Sequence, residues 1–212
     1  MGTEHWTDRR DSMIFLRIVF DKENVSDSME QNTAEEELEK VCKQRNLHYE
    51  VNWRNRRPKV AIMVSNYAHC LWELLLRHEA QEIECDIVQV LSNHSKLKPV
   101  AETFAIPYEV FPITSDNKVE QEQRELKILQ EKEVDLVVLA RYMQVLSGGF
   151  LDAFPNGIIN IHHSFLPAFS GGRPHHAAHA RGVKLVGATA HYVTAVLDEG
   201  PIIEQVRFWN YK

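Results

Sequence analysis

The sequence predicts an α/β fold with an open, mostly parallel sheet that is covered by helices on both faces. Two observations support this prediction. Short apolar runs alternate with amphipathic segments from residue 58 onwards, and the runs are too uniformly apolar to face solvent on either side. The first 57 residues are more polar and irregular, so a small α+β segment, 1–57, is expected to precede the main domain, 58–212.

The N-terminal segment carries three local patterns. Residues 13–20 are rich in β-branched and aromatic side chains and predict a strand. Thr33, with Glu36 at the capping-box position, predicts the start of a helix. Residues 47–53 alternate between apolar and polar types, which predicts a second strand. One helix and two strands make a thin basis for an independent core.

The main domain alternates strands and helices along its length. Continuous apolar runs bounded by turn residues predict strands, and spacings of three and four between apolar residues predict helices. The predicted strands are 60–64, 83–91, 108–111, 134–139 and 158–161, and the predicted helices are 69–77, 97–104, 119–131 and 149–154. This alternation is typical of a parallel sheet.

The composition excludes several classes of protein. The chain has 212 residues, of which 44% are hydrophobic and 25% charged, and a net charge of −6. A negative chain argues against nucleic acid as a partner. No apolar run approaches the ~18 residues that cross a bilayer, and three scattered cysteines indicate reduced thiols. We therefore expect a cytoplasmic protein that binds neither membranes nor nucleic acid.

Polar side chains gather where predicted strands end. In open parallel sheets, ligands bind beyond the carboxyl ends of the strands. Three segments have this character: 139–146, 160–167 and 187–194, the last of which is followed by Asp198. We expect all three to contribute to one site at the carboxyl edge of the sheet.

Three residues form a candidate catalytic set. Asn160 and His162 stand two apart on an extended segment, so their side chains share one face. An amide beside an imidazole can hold a carbonyl oxygen and move a proton to or from the adjoining atom. Asp198 could orient the imidazole and order a water molecule. The alternative is a polar loop whose hydrogen bonds are simply satisfied.

The motifs around these residues resemble the formyltetrahydrofolate-dependent formyltransferase family over about residues 59–205. Segments 139–147 and 161–169 most closely resemble its formyltetrahydrofolate deformylase branch. Three separate motifs carry the resemblance in order: Asn160-x-His162-x-Ser164-x-Leu166-Pro167, Gly187-Ala-Thr-x-His191-x-Val193-Thr194, and Asp198-x-Gly200-Pro-Ile-Ile203.

The resemblance implies the fold, the substrate and the site. It implies the formyltransferase fold, which is an open, mostly parallel, Rossmann-like sheet. Asn160, His162 and Asp198 match the catalytic residues of the family. The substrate is 10-formyltetrahydrofolate, and no further cofactor is implied. The residues that would enclose the folate, largely through main-chain groups, or support it from a neighbouring strand are Met143, Gln144, Val145, Leu146, His191, Thr194 and Leu197.

The resemblance also extends to the N-terminal segment, which is similar to part of an ACT module. Modules of this type often pair between subunits, so a homo-oligomer is a further expectation. The first strand and helix of the module, and a strand and long helix after residue 206, have no counterpart in this sequence. A catalytically weak folate-binding remnant is therefore one alternative to an active enzyme.

The acceptor of the formyl group is predicted to be water. Transferases that act on a phosphorylated amine have a glycine-rich loop after the first strand, whose main-chain N–H groups cradle phosphate. Residues 65–70, which follow Val64, contain no glycine. Hydrolysis is therefore the favoured reaction, and formyl transfer to an amine is the alternative.

A histidine cluster offers a different interpretation. His175, His176 and His179 have spacings that can place two imidazoles on one helix face for zinc. No glutamate stands between them in a His-Glu-x-x-His arrangement, and no cysteine is near. We therefore expect a solvated helix face after Pro174 and no metal.

Overall fold

The structure is a computed structural model that describes residues 2–8, 13–19, 28–51, 56–171 and 174–209. The chain divides into two compact units, Met1–Asn55 and Arg56–Lys212. Among the described helices, none has the length and apolar character needed to cross a membrane.

The first unit contains two antiparallel strands, β1 (Gly2–Asp8) and β2 (Met13–Val19), and one helix, α1 (Ser28–Gln44). The sequence predicted β2 but missed β1. The helix begins five residues before Thr33, so the proposed capping box lies inside it. The resemblance of this unit to an ACT module stays a prediction.

The strand predicted over 47–53 is wrong where the structure describes it, because residues 47–51 have no strand geometry. Residues 52 and 53 lie outside the described ranges. The chain leaves α1 through Asn46, whose φ of 52° reverses its direction, while Leu47 N donates to the Cys42 carbonyl oxygen over 2.9 Å. A period-two pattern needs a neighbouring strand, and β2 pairs with β1 instead.

The second unit is built on a seven-stranded sheet with the order β5-β4-β3-β6-β7-β8-β9. The strands are β3 (Lys59–Val64), β4 (Asp86–Ser92), β5 (Tyr108–Val110), β6 (Leu136–Leu139), β7 (Ile158–His162), β8 (Leu185–Tyr192) and β9 (Ile202–Trp209). The helices are α2 (His69–Glu79), α3 (Lys98–Thr103, preceded by a 3-10 turn), α4 (Lys118–Glu131), α5 (Gly148–Ala153) and α6 (Pro174–Arg181). The α/β prediction is confirmed, with boundaries shifted by up to three residues in the strands.

The core lies on both faces of the sheet. Alternate residues of β3 enter two separate clusters: Ala61 and Met63 belong to one, and Ile62 and Val64 to the other. Helices α4 and α5 cover the first cluster, and α2 and α3 cover the second. Because each buried aliphatic side chain contributes about 1.5–3 kcal/mol, this doubly covered strand explains the continuous apolar run in the sequence.

The last two strands depart from the parallel pattern. β8 runs antiparallel to β7, and β9 runs antiparallel to β8. The expectation that segment 187–194 ends at the same edge of the sheet as β7 is therefore wrong. Instead, antiparallel pairing places His191 opposite Asn160 and Thr189 opposite His162. The segment reaches the candidate site from its side, through cross-strand neighbours.

Candidate active site

The candidate site lies at the end of β7. His162 is 5% exposed, and Asn160 is half-buried on the same strand. The strand pairs with β6 on one side, where Asn160 lies opposite Leu139, and with β8 on the other. Asn160 is thus held by ladders on both sides, whereas His162 is held by the β8 ladder alone, opposite Thr189.

His162 has an acceptor at each ring nitrogen. Its Nδ1 lies 3.3 Å from Asp198 Oδ1, and its Nε2 lies 3.2 Å from the carbonyl oxygen of Phe169. The carboxylate can therefore orient the ring. An imidazole held in this way is suited to deliver a proton from a fixed direction.

Asp198 is held by backbone geometry. Its φ is 58°, and its side chain is 5% exposed. The second carboxylate oxygen, Oδ2, accepts a hydrogen bond from Gly171 N over 2.7 Å. Gly200 passes so close to the Tyr192 carbonyl oxygen that an added Cβ would lie 1.7 Å from it. The turn that presents Asp198 therefore requires glycine at position 200.

Asn160 is oriented by His191. The Asn160 Nδ2 atom lies 3.2 Å from His191 Nε2, and His191 Nδ1 lies 2.9 Å from the Tyr192 carbonyl oxygen. Because a carbonyl only accepts, Nδ1 carries the ring hydrogen and Nε2 accepts from the amide. The 3.8 Å separation between His191 Nε2 and Asp198 Oδ1 is then proximity and not an ion pair. The amide keeps its second N–H for a ligand.

Thr189 joins the strands below this cluster. Its hydroxyl donates to the Ser164 carbonyl oxygen over 2.8 Å and accepts from Leu166 N over 3.1 Å. Gln205 Nε2 donates to the same hydroxyl oxygen over 3.0 Å and to the Leu166 carbonyl oxygen over 2.9 Å. Since Thr189 is fully buried, these bonds fix the loop that follows His162 to β8 and β9.

The predicted folate loop, 143–146, contains both exposed and buried side chains. Met143 and Val145 are 55% and 60% exposed, and Gln144 is half-buried. Leu146 is buried in the core cluster with Phe150, so only its main-chain groups are available to a ligand. Two other predicted folate contacts, Thr194 and Leu197, are exposed, and the Thr194 hydroxyl donates to the Val196 carbonyl oxygen.

A buried acidic pair lies beneath this loop. Glu125 of α4 is completely buried, and its Oε1 accepts a hydrogen bond from the Tyr142 hydroxyl over 3.4 Å. Glu122 is 3% exposed and accepts from Ser147 N over 3.2 Å. Burial, reinforced by the neighbouring Glu122, raises the pKa of Glu125 to about 7, and burial raises the pKa of Tyr142.

The ends of β3 and β4 form a second polar patch. Ser65 Oγ donates to Asn93 Oδ1 over 2.7 Å and accepts from Met143 N over 3.1 Å. The guanidinium of Arg141 lies over the ring of Tyr67, 4.8 Å from its centroid. Hydrogen bonding thus ties the loop after β3 to the loop after β6.

The structure brings four of the sequence-derived candidates together: Asn160, His162, His191 and Asp198. Sequence reasoning missed three supporting groups, namely Thr189, the Gly171 amide and the Phe169 carbonyl. Thr189 stands two residues before His191, so period-two spacing could have indicated it. The two main-chain groups leave no signal in the sequence because any residue carries them.

The histidines of α6 stand apart from this cluster. His176 and His179 are exposed, and the side chain of His175 lies outside the described part of the structure. Across the described residues, no group of three or more His, Cys, Asp or Glu side chains has an arrangement that could hold a metal ion.

Comparison with known proteins covers the same region. The formyl transferase family model matches residues 58–208. The chain is 50% identical over 165 residues to a formyltetrahydrofolate deformylase of Synechocystis sp., a match that covers 78% of this chain and 58% of that protein. It is 41% identical over 204 residues to the formyltetrahydrofolate deformylase of Bacillus subtilis, covering 96% of this chain and 67% of that protein. The match thus spans less than two thirds of the Synechocystis relative.

Solved structures give the same result. The formyltetrahydrofolate deformylase of Burkholderia mallei superposes with a TM-score of 0.85 at 43% identity, covering 99% of this chain and 73% of that one. A glycinamide ribonucleotide transformylase from Symbiobacterium toebii gives a TM-score of 0.69 at 30% identity, covering 76% and 77%. Because the family model, the curated relatives and the solved structures agree, the chain belongs to the formyl transferase family, within the group of formyltetrahydrofolate deformylases.

Proposed function

We propose that this protein hydrolyses 10-formyltetrahydrofolate to tetrahydrofolate and formate. The observation that carries the proposal is the contact series Asn160–His191 and His162–Asp198, which presents an amide and an imidazole from one strand. The names of the relatives support the same reaction. Water is the favoured acceptor because residues 65–70 offer no glycine-rich cradle for a phosphorylated amine.

The catalytic roles follow from the donors and acceptors of the cluster. Asp198 accepts from His162 and orders the attacking water. The water oxygen bonds to the formyl carbon, and the resulting oxyanion accepts from the Asn160 amide and from Nε2–H of protonated His162, which leaves the Phe169 carbonyl oxygen to do so. The proton lost by the water moves through Asp198 or His162 to N10. The bond between N10 and the formyl carbon then breaks, which releases formate and tetrahydrofolate.

The folate itself would be held by the loops around the cluster. Met143, Gln144 and Val145 on one side, and Thr194 and Leu197 on the other, present main-chain groups and exposed apolar surface to a planar ring. We expect no resident cofactor, and water and the substrate supply every atom of the products. A cytoplasmic location and a homo-oligomeric state remain predictions.

Formate release by the purified chain is the direct test. Incubation with 10-formyltetrahydrofolate should release formate at a rate that does not depend on an added amine. Turnover that requires the amine would identify a transferase, and folate binding without turnover would identify a folate-binding remnant. Either result contradicts the proposal.

Variants of the cluster test the assigned roles. Asn160→Ala or His162→Ala should lower kcat by about 10²–10³ with little change in KM, because an oxyanion donor acts mainly in the transition state. His179→Ala, an exposed histidine of α6, is the matched control and should keep wild-type turnover. A kcat within a few-fold of wild type in either cluster variant would show that the roles are wrong.

A further inference from the structure

One residue beside the candidate site has a backbone conformation that neither a helix end nor the cluster explains. Among the described non-glycine residues, eight have a positive φ. Five of them follow a helix end within three residues, where such caps are common: Asn46, Gln81, Ala105, Glu133 and Asn156. Phe169 and Asp198 contact His162. The remaining one is Arg141, with a φ of 61°.

A left-handed conformation is unfavourable for a residue with a long side chain, so its retention points to a function of that side chain. The guanidinium of Arg141 lies 4.8 Å from the ring centroid of Tyr67, which is within the range of a cation–π contact. Its Nε is buried and has no hydrogen-bond partner among the described residues. The side chain therefore extends from the end of β6 to the loop that follows β3.

This contact lies where the order of the sheet reverses. From β3 the chain continues to β4 and β5 on one side of the sheet and then to β6 on the other side of β3. The crevice outside the carboxyl ends of two such strands is where open α/β sheets bind ligands. Met63 of β3 pairs with Leu139 of β6, which pairs in turn with Asn160 of β7. The crevice is therefore one strand away from the cluster.

We propose that the contact between Arg141 and Tyr67 closes this crevice to an organic amine, which leaves water as the acceptor of the formyl group. This inference rests on the proposed function and names the residues that select between its two reactions. In hydrolysis the water oxygen bonds to the formyl carbon and the bond to N10 breaks. In transfer an amine nitrogen would form that bond, with its proton passing to N10.

Two observations favour closure over an anion-binding site. The guanidinium already faces an aromatic ring, and its Nε is covered, so its donors are not presented as an open fork. Residues 65–70 contain no glycine, and the Ser65 hydroxyl is engaged with Asn93 and with Met143 N. A phosphate group would find no glycine-rich main-chain cradle at the end of β3, where the Ser65 hydroxyl is already engaged.

The test substitutes Arg141 and Tyr67 in the 212-residue chain. Arg141→Gly suits the left-handed backbone, so it removes the side chain without straining the fold. Tyr67→Ala removes the ring, which is 53% exposed. The matched control is Arg124→Ala, because Arg124 makes the same kind of contact with the Phe111 ring at 5.6 Å, on α4. Formate release and formyl transfer to glycinamide ribonucleotide are measured for each protein.

We expect wild type and Arg124→Ala to release formate with transfer no higher than the detection limit, which then serves as the reference for the ratio. Arg141→Gly, alone and with Tyr67→Ala, should raise the ratio of transfer to hydrolysis at least about tenfold, the factor that corresponds to about 1.4 kcal/mol. Unchanged ratios with retained formate release would overturn the proposal. A raised KM for 10-formyltetrahydrofolate without transfer would also overturn it, since the guanidinium would then bind an anionic group of the folate.

Binding of the amine provides a readout that does not depend on turnover. Isothermal titration with glycinamide ribonucleotide alone should show no binding to wild type or Arg124→Ala and measurable binding to the double variant. If wild type releases no formate, the proposed function fails while this titration still decides the closure. Equal binding to wild type and the double variant would contradict closure even if hydrolysis were intact.

Discussion

The position of Asp198 depends on its own backbone conformation and on Gly200, which follows two residues later in the same turn. The φ of Asp198 is 58°, and Gly200 follows in contact with the backbone of Tyr192. Tyr192 N also donates to the Pro201 carbonyl oxygen over 2.9 Å, so the turn closes directly onto the end of β8. The carboxylate that orients the imidazole is thus positioned by main-chain contacts and not by a neighbouring side chain.

The prediction at this scale concerns Gly200→Ala. A Cβ placed 1.7 Å from the Tyr192 carbonyl oxygen forces the turn away from β8. We expect a loss of stability of about 3 kcal/mol or more, at or above the upper range for overpacking, together with a large loss of turnover because Asp198 moves. The measurements are the urea midpoint at constant slope and the rate of formate release.

Gly149→Ala is the matched control for this substitution. Gly149 lies in α5, and an added Cβ would meet nothing within 4 Å. The alanine should leave turnover unchanged and raise stability by about 0.4–1 kcal/mol through the unfolded chain. Equal effects of the two substitutions would show that the close approach at Gly200 does not hold the turn.

At the scale of elements, α4 and the loop after β6 are joined through buried carboxyl groups. Tyr142 and Ser147, at the two ends of the folate loop, donate to Glu125 and Glu122 respectively. One oxygen of each carboxyl group is buried without a partner among the described residues. Burial is the main reason that the pKa of Glu125 is raised, and repulsion from the neighbouring Glu122 carboxylate adds to it.

The Glu125 carboxyl makes stability depend on pH in a definite direction. Its pKa rises from 4.5 in the unfolded chain to about 7 in the fold, so the native state binds more protons between these values. Stability from this group therefore falls as pH rises from about 4.5 to about 7. Glu125→Gln, which mimics the protonated form, should stabilise the protein by about 3 kcal/mol at pH 8 and by little at pH 4.5.

The measurement compares urea unfolding of wild type and Glu125→Gln across this pH range. Glu120→Gln provides the control, since Glu120 lies on the same helix and is exposed. It should change stability by less than about 0.5 kcal/mol at every pH. A difference between wild type and Glu125→Gln that is constant with pH would mean that Glu125 does not titrate in this range.

The elements differ in how far the sequence could predict them. The run 60–64 predicted β3 because burial on both faces requires an apolar side chain at every position. The direction of β8 was not predictable, because a helix between two strands is also the pattern of a parallel crossover. The burial of β8 alternates, with Gly187, Thr189 and His191 inward. Only the folded chain shows what these residues face.

The residues of the candidate site also differ in how far the sequence could predict them. Asn160, His162 and Asp198 could be selected because few residue types can hold an oxyanion or move a proton. Arg141 could not be selected, since its significance lies in its φ and in the ring beneath it. Properties of the backbone and contacts over long sequence separation are absent from local patterns.

At the scale of the whole molecule, the carboxyl ends and the amino ends of the parallel strands carry different kinds of residues. The proposed chemistry lies at the carboxyl ends of the parallel strands, whereas the opposite edge carries ion pairs. Arg56 donates to both carboxylate oxygens of Asp135 over 2.7 Å, and Lys59 N donates to Asp135 Oδ2 over 2.7 Å. Lys59 Nζ lies 2.6 Å from Glu133. These contacts fasten the start of β3 to the turn before β6.

The prediction for the whole molecule concerns where the second unit can begin. A protein covering 56–212 should unfold in one cooperative transition, since both core clusters lie within it. A protein covering 58–212 lacks Arg56 and should be slightly less stable at neutral pH, because solvent screens most of the attraction in an exposed ion pair. Calorimetry or urea unfolding of the two proteins measures the difference.

The pH dependence identifies the cause of that difference. The hydrogen bond from Arg56 holds the pKa of Asp135 below its usual 3.8, so this stabilisation is present above that value and is lost as pH falls through the lowered pKa. The difference in stability between the two proteins should therefore shrink as pH falls below 3.8. A difference that survives unchanged in acid, or a protein 56–212 that does not fold, would contradict this account.

The antiparallel course of β8 has a consequence for the inheritance of the site. Because β7, α6, β8 and the turn after β8 follow one another along the chain, Asn160, His162, His191 and Asp198 all come from one segment, 160–198. Here a single exchange of the gene segment encoding 160–198 between relatives would carry the whole set, whereas a break inside it would separate donors from the carboxylate that orients them. Selection can therefore preserve the chemistry as one block while the remainder of the sheet diverges.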